Sequence, residues 1–116
     1  MNISIFGEQW EITLGVDPKG RRDLEGTQGL CICHERKIII VDLLKLPEWA
    51  DSSEYSRKEG EKEILRHEIL HAFFAECGLW GSSLSVCAWA LNEEMVDWFA
   101  LNAPKIYRAY QEAGAM

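Results

Sequence analysis

From Ile64 to Ala75 the chain reads Ile-Leu-Arg-His-Glu-Ile-Leu-His-Ala-Phe-Phe-Ala. The apolar residues of this run cover nearly every azimuth of a helix, so other elements must enclose it, and His67, Glu68 and His71 are enclosed with it. A carboxylate in so apolar a stretch is costly to bury without a partner. Residues four apart stand on one face of an α-helix about one turn from each other, so the imidazoles of His67 and His71 reach a single metal ion. Glu68 follows the first histidine directly and reaches a water on the open side of such an ion. The spacing predicts a buried helix carrying a two-histidine clamp, with Glu68 as general base.

The limits of that helix are marked locally. Ser56-Arg57-Lys58-Glu59 matches the Ser-x-x-Glu capping box, which places the start at Ser56. Gly78 is placed to end it in a left-handed conformation. Ser82, Ser83 and Ser85 offer caps for a second helix, from about Leu84 or Val86 to Leu101. Asn102 and Pro104 are expected to separate that helix from a short terminal one over Lys105 to Ala113. Open catalytic zinc sites usually hold three protein ligands and leave the fourth position to water, so a third ligand is needed. Asn92-Glu93-Glu94-Met95-Val96-Asp97 supplies it. Glu93 and Asp97 are four apart on one face, Glu93 to complete the coordination and Asp97 to receive the free N–H of a ligand histidine. Glu94 is turned by about 100° and has no carboxylate one turn on, so it ranks second.

The preceding half of the chain reads as strands. Ile3 and Ile5, then Trp10, Ile12 and Leu14, alternate with polar residues about Gly7-Glu8, which predicts a hairpin with a type II′ turn. Gly15 to Gly29, with four glycines and few large apolar residues, reads as a long surface loop and a candidate cover for the cleft. Leu30 to Cys33 and Ile38 to Val41 form a second strand pair. The second of these is apolar on both faces, as an interior strand would be. Leu43, Leu44, Leu46 and Trp49 are available to pack in the connection that follows, where Pro47 opens a short helical turn. Strands first and helices after give an α+β fold: a small, mostly antiparallel sheet of three or four strands under a motif helix, a glutamate-bearing helix and a short C-terminal one.

With 116 residues, 47% of them hydrophobic, the chain is expected to form one domain, residues 1–116. A net charge of −7 argues against nucleic acid as partner, since such binding relies on clustered Lys and Arg. Lys19, Arg21 and Arg22, flanked by Asp17 and Asp23, read as a solvated loop. The first residues do not form a basic segment followed by an apolar core, and no apolar stretch is long enough to span a bilayer. A cytoplasmic protein with no membrane partner is therefore expected, its four cysteines reduced. Cys31 and Cys33 share one face of a strand but lack the spacing of a zinc knuckle, so packing is their expected role. Cys77 and Cys87 read as small buried hydrophobes, and Trp80, Trp89 and Trp98 as core and loop anchors.

His67-Glu68-x-x-His71 followed by Asn92-Glu93-x-x-Val96-Asp97 resembles the gluzincin zinc metallopeptidases. Their thermolysin-like members carry Asn-Glu-x-x-Ser-Asp at the second position, with serine where this chain has Val96. The likeness spans about Leu65 to Ala100. In length it is similar to minigluzincins and to phage or prophage zinc-peptidase domains, in which a small sheet precedes the motif helix. The resemblance implies Zn2+ held by His67, His71 and Glu93, with Glu68 as the catalytic base. It further implies that Asn92 and Asp97 hydrogen-bond the ligand histidines. A protein or peptide substrate would lie antiparallel along the edge strand near Leu30 to Cys33 and undergo peptide-bond hydrolysis. No residue matches the family's transition-state electrophile. The alternative is a zinc-binding interaction or structural module, such as a phage component, without turnover. The oligomeric state is not legible.

Overall fold

The structure is a computed structural model that describes residues 1–82, 92–112 and 114, with only the backbone at 81, 82 and 109–112. It is an α+β fold. Four strands, β1 (Asn2–Ile5), β2 (Glu8–Val16), β3 (Gly29–Ile32) and β4 (Lys37–Val41), form one sheet in the order β1-β2-β4-β3. Among the described residues three α-helices follow: α1 (Glu54–Glu76), the four-residue α2 (Leu79–Ser82) and α3 (Glu93–Glu112). The sheet is mixed: β1–β2 and β3–β4 are antiparallel, as expected, but β2 and β4 run parallel, with Ile12 opposite Ile38. The two strand pairs that the sequence marks are present, and it is their junction that is parallel.

The period-two alternation of β4 explains its apolar run. Ile38 and Ile40 point to one face, where they pack with Ile5, Trp10 and Ile12 against Ala72, Ile64, Leu65 and Ile69 of α1. Ile39 and Val41 point to the other face and pack with Leu24, Val16, Leu30, Ile32 and Leu46. Leu24 is 1% exposed and comes from a 3-10 turn, Arg22–Leu24, within the long loop. That loop therefore covers the back of the sheet. Only its last residues, Thr27 to Gly29, reach the groove beside α1.

Local details depart from the sequence expectation where a tertiary contact decides. The hairpin turn is Phe6-Gly7, with φ of 49° and 84°, so it is a type I′ turn placed one residue earlier than expected. Phe6 meets the ring of Phe73 edge-on at 5.5 Å, which holds a large side chain in the left-handed region. Helix α1 begins at Glu54 rather than near Ser56: Ser53 Oγ accepts from the Ser56 amide at 3.1 Å, and Glu59 is engaged by Lys62 at 2.8 Å. At its other end Gly78, with φ of 84°, stops the helix as expected. The last turn is tied to the sheet by Glu76, which accepts from Trp10 Nε1 at 2.8 Å and Arg36 Nε at 2.7 Å.

Residues 83–91, where the second helix was expected to start, lie outside the described residues, and Cys87 and Trp89 with them. Cys77 is exposed rather than buried, because it follows the last turn of α1. Trp98 is exposed too. It sits about 200° around α3 from the buried Val96, whereas Ala100 comes back to the same face and is buried. Pro104 does not break α3, which is continuous from Glu93 to Glu112. Proline lacks the N–H that the Ala100 carbonyl would accept, and Arg66 Nε of α1 donates to that carbonyl instead, at 2.8 Å. No helix among the described residues is long and apolar enough to cross a membrane.

Candidate metal centre

Helix α1 presents His67 and His71 on the face turned to α3, and Val96 and Ala100 pack the two helices together. Asn92 caps α3: its Oδ1 accepts from the Met95 amide at 3.0 Å and its carbonyl from Val96. The oxygen of that carboxamide is thus engaged in holding the helix end. The cap places Glu93 in the first turn, where a negative charge is favoured, and Asp97 one turn on. Both carboxylates then meet the histidine pair. His67 Nδ1 lies 2.5 Å from Asp97 Oδ1. Glu93 Oε2 is 3.1 Å from His67 Nε2, Glu93 Oε1 is 3.4 Å from His71 Nε2, and the two Nε2 atoms are 3.1 Å apart.

The short contact to Asp97 assigns the proton of His67 to Nδ1, leaving a lone pair on Nε2. That lone pair faces the Glu93 carboxylate and the second imidazole. Such atoms repel at these distances unless a hydrogen or a positive charge lies among them. A second proton on His71, which would supply that charge as an imidazolium, is disfavoured, since burial holds that group below its ordinary value, an effect the Glu93 carboxylate only partly offsets. A divalent cation fits the donor set: two imidazole nitrogens and one carboxylate suit zinc. His67, His71 and Glu93 are the residues that would hold it.

Glu68 stands beside this set, its carboxylate no further than 4.8 Å from the ligand atoms of both histidines. It is 7% exposed, and among the described residues no hydrogen-bond donor reaches it. Burial raises its pKa to about 7. The negative charges of Glu93 and Asp97 add to the rise, and His67 opposes it. A carboxyl poised near neutrality and open to a groove is suited to proton transfer. Gly29 makes this position available. A Cβ there would stand 2.8 Å from Ile64 Cγ2 and 3.0 Å from Glu68 Oε1, so only glycine lets β3 approach α1 so closely.

Two depressions meet at this point. One, of about 630 Å³, runs along the edge strand β3 and is bounded by His34 and Trp80 on the far side of His71. The other, of about 320 Å³, lies toward Trp49, Gly60, Ile64 and Ala100. Thr27, Gly29, His67 and Glu68 line both, so they form one groove with Glu68 in its middle. The sequence singled out His67, Glu68, His71, Glu93 and Asp97, and the structure brings these together. It did not reveal Gly29, or Trp49 lying against Gly60, because both depend on contacts between segments far apart in the chain. Nor did it reveal that His34, next to Cys33 in the chain, is held edge-on to Trp80 with centroids 5.6 Å apart. Tyr107 and Arg108 are exposed on α3. Comparison with protein-family models, curated proteins and solved structures gives no match to this chain.

Proposed function

We propose that the chain is a gluzincin-like zinc peptidase on a minimal zincin-like scaffold, hydrolysing peptide bonds in a protein or peptide substrate. The observation that carries this reading is the convergence of His67, His71 and Glu93, buttressed by Asp97, next to a buried carboxylate that faces an open groove. When bound, a divalent ion supplies Lewis acidity that polarises a carbonyl and acidifies a water. The protein residues do the rest. Asp97 fixes the ring orientation of His67. Glu68 takes the proton of the attacking water and returns it to the leaving amine nitrogen. The edge of β3 bounds one side of the groove, and its unpaired backbone groups suit an extended peptide added as a further strand.

Zinc content and turnover are separable by substitution. Glu68→Gln is expected to keep about one equivalent of zinc and to lower hydrolysis by about 10²–10⁴-fold. Glu93→Gln is expected to lose the metal while Glu94→Gln keeps it, and Asp97→Ala to weaken metal affinity by about 10–100-fold. Metal analysis after zinc titration, with cleavage of a peptide library, checks all four. A chain that takes up no zinc overturns the reading. A chain that holds zinc but is indifferent to Glu68→Gln is instead an interaction module.

A further inference from the structure

Cys31 and Cys33 line the same groove as His67 and Glu68. Residues two apart in an extended strand project to one face, and here their Sγ atoms are 3.8 Å apart. A disulfide bond is about 2.05 Å long, so the sulfurs need to approach by about 1.8 Å. One of the two is free to do so. Cys31 is held in the ladder opposite Ile38, whereas Cys33 lies beyond the last paired residue, Ile32, and opens the 3-10 turn Cys33–Glu35. Both side chains are half-buried, so solvent-borne reagents reach them.

The two thiols also differ in character. The thiol–thiol contact with Cys31 holds Cys33 below the usual thiol value, against the opposing effects of burial and the Glu68 charge. Cys31 is pushed upward by the same contact and then by burial. Cys33 is therefore the attacking thiolate and Cys31 the thiol that resolves.

We propose that Cys31 and Cys33 form a thiol–disulfide exchange site for small disulfides of the glutathione type. The Cys33 thiolate attacks one sulfur of the small disulfide, forming a mixed disulfide and expelling one thiolate. Cys31 then gives its proton to solvent and attacks Cys33 Sγ. The Cys31–Cys33 bond forms and the second small thiolate leaves and is protonated. Two protein thiols are oxidised by two electrons, and one small disulfide is reduced to two thiols. A ring closed across the single residue Ile32 is strained, which makes the bond readily reversible.

Incubating the reduced full chain with glutathione disulfide, then acid quenching, alkylation and peptide mass mapping, tests this. The expected product is a Cys31–Cys33 peptide lacking two hydrogens, restored by added glutathione. Cys31→Ser is expected to accumulate a glutathione adduct on Cys33. Cys33→Ser is expected to leave Cys31 at least about 10-fold slower to react. Recovery of Cys31 and Cys33 as alkylated thiols while Cys77 carries the glutathione overturns the proposal, as does the absence of an adduct in Cys31→Ser. The readout involves neither metal nor hydrolysis, so its failure is distinct from failure of the peptidase reading.

Discussion

A carboxyl as enclosed as that of Glu68 either gives up its charge or meets an opposite one. Without metal its pKa stands at about 7, above the ordinary 4.5, so between these values the folded chain holds a proton that the unfolded chain has released. The sign follows: this contribution to stability is full below about pH 4.5 and is lost as pH rises through 7. At pH 8 the cost is on the order of 3 kcal/mol. Denaturant midpoints of chelated protein are therefore expected to fall from pH 5 to pH 8, and the fall is expected to be much smaller in Glu68→Gln. The residue was visible in the sequence because a charge within an all-round apolar run demands an explanation. What kept it accessible, the missing side chain at Gly29, was not, because glycine in a loop reads equally well as a turn.

Among the elements, α1 and β3 are held at a distance set by that glycine. Gly29→Ala is expected to force Ile64 and Glu68 outward, lowering stability by about 1–3 kcal/mol and displacing the carboxyl from the groove. Denaturation and peptide cleavage, measured on the same preparation, check the two effects. Helix α3 holds a different lesson. Sequence rules end a helix at a proline, yet Pro104 sits inside α3 because Arg66, 34 residues from Ala100, supplies the missing donor. Arg66→Met is expected to cost about 1–2 kcal/mol in the native chain and distinctly less beside Pro104→Ala, which restores the amide; a double-mutant cycle reads the difference. Helix α1 was legible over its apolar half, where a long run without breakers carries the four-residue spacing of His67 and His71. Its start was not, since Ser53 and Ser56 are equally good caps locally and Trp49, lying against Gly60, packs on the first turns.

For the molecule as a whole, hydrophobic patterning announced the strands, and β4 in particular revealed its interior place through four buried residues, Ile38 to Val41. The pattern carries no direction, so the parallel pairing of β2 with β4 could not be read from it. The sheet and α1 form one packed body, and α3 joins it through α1. The proposed metal site straddles that joint, with its nitrogens on one helix and its carboxylates on the other. An ion bound there is a removable rivet. By mass action, free zinc at about 1,000 times its dissociation constant adds about 4 kcal/mol to whatever opening separates the helices. Amide hydrogen exchange is accordingly expected to slow along α3 when zinc is added, and to change little at the β1–β2 hairpin. Helix α3, already packed on α1 through Val96 and Ala100, would then be seated more firmly while the ion is present, making the C-terminal part of the chain a gauge of free metal in its surroundings.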